Sequence, residues 1–172
     1  MHGLNLEEVS FLVIEDNPFM RSLIKTILVA LRTGPVKEAV DGADALKLLQ
    51  SGFTPDIILL DRDMPVLDGV EFVRMLRTAE DLASQFTPVI MVSAHADMHK
   101  VFEARDAGVH EYLVKPLSAK SLYMRISEVV SHPRTFVKAR QYAGPCRRRK
   151  IQESLPFIDR RQKVPELNSV SA

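Results

Sequence analysis

The run Ile57-Ile58-Leu59-Leu60, closing on Asp61 and continuing Arg62-Asp63-Met64-Pro65-Val66-Leu67-Asp68-Gly69, constrains the fold more than any other stretch. An uninterrupted apolar run of this kind predicts a strand buried on both faces of a parallel sheet. It ends on a carboxylate, so Asp61 is expected where the strand leaves the core. In open α/β sheets, ligands bind at that carboxyl end. Pro65 has no N–H for a sheet ladder, so the strand stops before it. Asp68 suits the N-cap of a helix from Gly69 to Arg77. A surface loop rich in Asp is the plainer reading of the same residues.

The remaining segments repeat this grammar. Val9 to Ile14 reads as a strand ending in the acid pair Glu15-Asp16. Asn17-Pro18 starts a helix, with Asn as cap and Pro at the first helical position. Met20, Leu23, Ile24, Ile27, Leu28 and Leu31 recur at helical spacing. Val36 to Val40 is a short second strand, and Ala45, Leu46, Leu48 and Leu49 mark a second helix. Phe72, Val73 and Leu76 belong to the third helix. Pro88 to Val92 is a fourth buried strand, ending in Ser93-Ala94-His95. Asp97 to Ala107 reads as a helix, with Gly108 just past its end. Glu111 to Val114 is a shorter, more polar strand ending in Lys115-Pro116. Ser118 can cap a last helix with the stripe Leu122, Ile126, Val129, Val130. Strand and helix thus alternate five times, which predicts a parallel sheet with helices on both faces.

Charge divides the chain unevenly. The formal net charge is +1, yet residues 1–132 carry 13 basic and 19 acidic side chains, and residues 133–172 carry 10 and 3. A domain over 8–131 and a basic, proline-containing tail over 132–172 are therefore expected, the tail extended or disordered and without a recognisable output domain. The single Cys146 excludes an internal disulfide and fits a reducing compartment. No apolar run approaches the roughly 18 residues of a membrane helix, and no signal peptide is visible, so a cytoplasmic protein without membrane contact is expected.

Four strand ends carry groups with chemistry to offer: Glu15-Asp16, Asp61, Ser93 and Lys115. A parallel sheet brings them to one edge. Singly, each has a plainer reading: a polar helix entry, an acidic loop, a turn former, a solvated lysine. Together they form a pocket in which clustered carboxylates repel unless a cation joins them. Hard oxygen ligands suit Mg²⁺, which keeps water and binds phosphate oxygens. A lysine and a hydroxyl beside it would hold phosphoryl oxygens. The chemistry implied is phosphoryl transfer onto a carboxylate.

On these motifs — the acid pair, Asp-x-x-Met-Pro-x-x-Asp-Gly, Ser-Ala after the fourth strand, Lys-Pro after the fifth — the chain over roughly 8–131 resembles the receiver domain of bacterial two-component response regulators, in its stand-alone, chemotaxis-regulator-like form. The resemblance implies a flavodoxin-like (βα)5 doubly wound sheet of strand order 2-1-3-4-5. It implies that Asp61 is the phosphoacceptor for a histidine kinase or phosphotransfer protein, a signalling role in which the only catalysis is the domain's own phosphorylation and dephosphorylation. Asp16 and Asp61 would bind Mg²⁺ through side chains, Asp63 through its backbone carbonyl and Glu15 through water. Lys115 would pair with the phosphoryl group, while Ser93 and Tyr112 would form the switch. Pro116 would follow a cis peptide bond. The fourth helix, fifth strand and fifth helix would meet a downstream partner or form a homodimer. Glu15 in place of the commoner Asp, and Asp63 where many relatives carry a neutral or smaller residue, are departures that bear on metal affinity and phosphoryl lifetime.

Two other readings compete. Asp61-Arg62-Asp63 also resembles the Asp-x-Asp of haloacid-dehalogenase-type phosphatases, which need a further acidic pair after the lysine. Downstream of Lys115 only the isolated Glu128, Glu153, Asp159 and Glu166 remain. A DNA-binding regulator would use the basic run Arg147-Arg148-Arg149-Lys150 on phosphates, but no element shaped for a groove accompanies it, so no specific DNA binding is expected. Opposite charges would let that run visit the acid pocket. A tail that stays solvated is the preferred expectation.

Overall fold

Five short parallel strands, interleaved with helices, make up the body of the molecule in this computed structural model, which describes residues 4–139 and 142–147. In chain order they are β1 (Phe11–Ile14), α1 (Pro18–Ala30), β2 (Val36–Ala39), α2 (Gly42–Gln50), β3 (Ile57–Asp61), α3 (Gly69–Thr78), a 3₁₀ turn (Ala83–Phe86), β4 (Val89–Ser93), α4 (Met98–Ala107), β5 (Glu111–Val114) and α5 (Ala119–Ser131). The sheet order is β2-β1-β3-β4-β5, the flavodoxin-like arrangement expected.

Burial follows position in that order. The inner strands β1, β3 and β4 are buried at every residue. The edge strands β2 and β5 alternate between more and less covered positions, as strands with one open side do. Successive strand residues point to opposite faces, which makes two cores. Leu12, Ile14, Ile58 and Leu60 face Phe72, Val73 and Leu76 of α3. Phe11, Val13, Ile57 and Leu59 face Ile24 and Leu28 of α1 and Leu122 and Ile126 of α5. At roughly 1.5–3 kcal/mol for each fully buried large apolar side chain, these layers dominate the stability. No helix of the described residues is long and apolar enough to cross a membrane.

Capping agrees with the sequence. The Asn17 side chain accepts from the Phe19 and Met20 N–H groups, with Pro18 at the first helical position. Asp68 caps α3 through Glu71 N–H, and Ser118 caps α5 through Ser121 N–H. Gly108 ends α4 at φ +106°, a conformation that favours glycine.

The tail differs from expectation. It is extended in part, but β6 (Phe136–Ala139) and β7 (Tyr142–Pro145) pair as an antiparallel hairpin. The hairpin sits on the carboxyl ends of α3 and α4, away from the strand ends that carry the acid pair. Arg134 donates to the carbonyls of His110 and Cys146. Phe136 meets the Phe86 ring edge-on at 4.7 Å, and Arg147 pairs with Asp106 of α4 at 3.4 Å. Four-residue strands holding Lys, Gly and Pro carry too little alternation to be read from sequence. The surface they dock on orders them. Residues 148–172, with the rest of the basic run, lie outside the described residues.

Candidate functional site

The carboxyl ends of β1, β3, β4 and β5 converge as the sequence requires, and bring Glu15, Asp16, Asp61, Ser93 and Lys115 to one edge of the sheet. Parallel pairing sets the depth of each group: Asp61 lies level with Val92, and Ser93 level with Val114. Asp61 and Glu15 are almost completely buried, at 4% and 1% exposure, whereas Asp16 is exposed. The Lys115 ammonium donates to Asp61 Oδ1 at 2.7 Å and to Glu15 Oε2 at 3.1 Å. Lys115 is followed by a cis peptide to Pro116.

Electrostatics reflect this crowding. Burial raises the Asp61 pKa above the usual carboxylate value; Lys115 opposes the rise, while Asp63 and Asp16 add to it. Burial and the neighbouring Asp61 charge likewise raise Glu15, again against the pull of Lys115. For Lys115, burial acts to lower the pKa, but Asp61 and Glu15 outweigh it and the net shift is upward. The pocket therefore holds an excess of negative charge that one ammonium does not neutralise. Glu15, Asp16 and Asp61 each offer a carboxylate oxygen, all within 4.8 Å of one another. That donor set, hard, anionic and mutually repelling, fits a divalent cation of the Mg²⁺ type.

The loop after β3 is held tightly around this cluster. Arg62 N–H extends the ladder to Val92 O at 2.9 Å, and Gly69 N–H donates to Arg62 O at 2.9 Å. A Cβ on Gly69 would overlap the Asp61 carbonyl oxygen, so glycine lets α3 start against the backbone of Asp61. Val66 has φ +69°, a strained conformation for a β-branched residue, in a tight turn closed by Leu67 N–H to Pro65 O at 2.8 Å.

Asp63 and Tyr112 complete the set named from sequence. The Asp63 carboxylate, outside the tight acid group, accepts from Ser93 Oγ at 3.3 Å. Ser93 is fully buried, and its hydroxyl accepts from His95 N–H at 3.1 Å. Tyr112 donates from its hydroxyl to the His95 carbonyl at 3.0 Å, with a half-buried ring. His95 was not singled out from sequence. Its imidazole Nε2 stands 3.7 Å from Asp63 Oδ2, and only the fold brings it there. Arg62 was also missed: its side chain crosses to α4, where it donates to Lys100 O at 3.2 Å and pairs with the Glu103 carboxylate. Nothing in the sequence spacing signals either contact.

Comparison with known proteins agrees with this geometry. The family model described as response regulator receiver domain matches residues 11–127, ending before the hairpin. Chemotaxis protein CheY-3 of Vibrio cholerae is 31% identical over 129 residues, covering 75% of this chain and 97% of that protein. Chemotaxis protein CheY of Pseudomonas aeruginosa is 36% identical over 121 residues, covering 70% and 95%. Among solved structures, Vibrio cholerae CheY4 superposes with a TM-score of 0.65 at 29% identity, over 71% of this chain and 98% of that one. The receiver domain of sensor histidine kinase PA1611 from Pseudomonas aeruginosa, solved with a magnesium ion coordinated in its active-site cleft, gives 0.64 at 28% identity, over 72% and 98%.

Proposed function

The chain belongs to the response regulator receiver domain family, and from that premise we propose that Asp61 accepts a phosphoryl group from the phosphohistidine of a histidine kinase or phosphotransfer protein. The observation that carries this reading is the Asp61 carboxylate, buried at the sheet edge between Lys115 at 2.7 Å and the Glu15–Asp16 pair. In the transfer, a carboxylate oxygen of Asp61 forms the new P–O bond as the P–N bond to the donor imidazole breaks, and the imidazole leaves with the electron pair. Lys115 follows the developing charge on the phosphoryl oxygens, being already within hydrogen-bond reach of Asp61. Asp16 and Asp61 side chains, the Asp63 backbone carbonyl and, through water, Glu15 would hold Mg²⁺. When bound, the ion neutralises phosphoryl and carboxylate charge.

Ser93 is the hydroxyl placed to turn from Asp63 toward a phosphoryl group, and Tyr112, bonded to the same loop through His95, would turn inward with it. The output is a change of protein contact on the face of α4, β5 and α5, where Met98, Phe102 and Val114 are exposed. A cytoplasmic signalling role follows, distinct from substrate turnover. The phosphatase reading draws no support from the family found, and specific DNA binding draws none from the described residues.

With a small phosphodonor and Mg²⁺, the parent chain should gain one acid-stable, alkali-labile phosphoryl group and Asp61→Asn none. Equal labelling of the variant would overturn the assignment.

A further inference from the structure

The helix facing the proposed output is weakly seated. Of the ten residues of α4, the buried ones are Ala104 and Ala107, both small. The neighbouring α3, equally long, buries Val70, Phe72, Val73 and Leu76. Hydrophobic stabilisation scales with apolar area removed from water, so α4 gains much less from its packing. Met98 and Phe102, its largest apolar side chains, stay exposed. Polar contacts therefore weigh more heavily in deciding where its first half lies.

One such contact comes from the residue after the phosphoacceptor. Arg62 is 8% exposed although it carries a charge. One guanidinium nitrogen donates to Lys100 O at 3.2 Å and another pairs with Glu103. Both partners lie on α4, a turn or less from each other. The root of Arg62 is fixed, because its N–H is tied to β4 and its carbonyl to the start of α3. The side chain thus joins a rigid point, covalently next to Asp61, to the first half of α4, whose ties through Arg77 to Gly108 O and Arg147 to Asp106 lie at its far end. Ser93, at the end of β4, bonds to Asp63 and to His95 N–H, and His95, in the loop leading into that helix, accepts from Tyr112. Drawing Ser93 toward a phosphoryl group pulls this loop, and the helix behind it, against the Arg62 contact.

We propose that Arg62 is a positioning residue that holds α4 in its resting place and thereby opposes phosphorylation of Asp61. The inference rests on the phosphoacceptor reading above. A contact made in one of two states biases the equilibrium toward it. By reciprocity, weakening the contact must tighten binding of whatever favours the other state. Glu103, 35% exposed at its side chain, is the partner that can be altered with least disturbance to the core.

The test uses the full chain, with Arg62→Met, Glu103→Gln and the double variant. Two quantities are read: amide hydrogen exchange over residues 98–107 without ligand, and affinity for beryllofluoride, a phosphoryl mimic, in the presence of Mg²⁺. Each single variant should speed exchange in α4 and bind the mimic about fivefold or more tightly, within the usual range of allosteric coupling. The double variant should match Arg62→Met alone, since both changes break one contact. Unchanged or weaker mimic affinity in Glu103→Gln overturns the proposal, as does a double variant whose effect is the product of the two singles. Failure of the parent chain to bind the mimic overturns the phosphoacceptor reading itself, and the coupling with it.

Discussion

Asp61 and Glu15 carry opposite obligations without a bound cation and with one. Their carboxyl pKa values are raised, mainly by burial. A folded-state value above the unfolded one means that the folded state binds more protons between the two. Stability therefore falls as pH rises through that window, and the cost persists at neutral pH. Asp61→Asn should raise the melting temperature of the metal-free protein at pH 7 by at least about 2 °C, the shift that ~1 kcal/mol gives in a domain of this size. The gain should shrink below the ordinary carboxylate value and under saturating Mg²⁺; melts in chelator and in Mg²⁺ across pH would check it. His110 works in the other sense. Burial, with the Arg77 and Arg134 charges beside it, lowers its pKa to about 3 from 6.5. The unfolded chain then takes up a proton that the folded one refuses, so stability is full above pH 6.5 and is lost as pH falls toward 3. His110→Gln should flatten the denaturant-midpoint profile between those limits. A profile with the parent's slope would show that other groups set it. Asp61, Glu15, Asp16, Ser93 and Lys115 were legible because each ends a strand, so topology alone delivers them. Arg62, Arg77, His95 and His110 were not, because their roles depend on where a side chain goes after it leaves the backbone.

Arg77 shows how an element ending is completed by distant chain. It is 1% exposed, near the end of α3, and its guanidinium donates to Gln85 O at 2.7 Å, Thr87 O at 2.9 Å and Gly108 O at 3.1 Å. These carbonyls terminate the 3₁₀ turn and α4, so one side chain joins three endings. Burial lowers its pKa to about 10, which leaves it charged at neutral pH. Arg77→Met keeps bulk but strands those carbonyls, and should cost about 2–3 kcal/mol in denaturant melts. The hairpin covers the same place, with Phe136 placing its ring 5.5 Å from the guanidinium. Gly144 lies so close to Gly108 that a Cβ would stand 2.7 Å from the Gly108 Cα. Gly144→Ala should therefore lift β7, lowering stability toward that of a chain ending at residue 133. Melting temperatures of the parent, this variant and the truncation would decide. A Gly144→Ala protein as stable as the parent would mean that the hairpin contributes nothing. Caps and apolar stripes were readable because they are local. The hairpin was not, because its pairing is stabilised by the surface beneath it.

Charge is segregated along the whole molecule, with net −6 over residues 1–132 and +7 over 133–172. A freely moving tail of about 15 residues before the basic run would have a reach of roughly 20 Å, enough to visit the acid pocket. The hairpin removes much of that slack. Arg147, the first residue of the run, stacks on Tyr142 at 4.2 Å and pairs with Asp106 in the last turn of α4, away from Asp61. Pairs of this exposed kind contribute about 0–1 kcal/mol and are screened by salt. Mg²⁺ titrations of the full chain and of one ending at Arg147 should therefore coincide at both low and high salt. Tighter binding by the shortened chain at low salt alone would place the basic run at the pocket.

The sequence by itself determined the parallel βα alternation, the buried central strands and the meeting of four strand ends, because apolar periodicity, caps and proline breaks act within a few residues. Only the tertiary structure decided that Asp63 faces Ser93 and His95, that Arg62 reaches α4, and that a polar segment after α5 folds onto the ends of α3 and α4. Those contacts join residues distant along the chain. Their free energy lies in the burial and pairing of groups that have no partner until the sheet has formed.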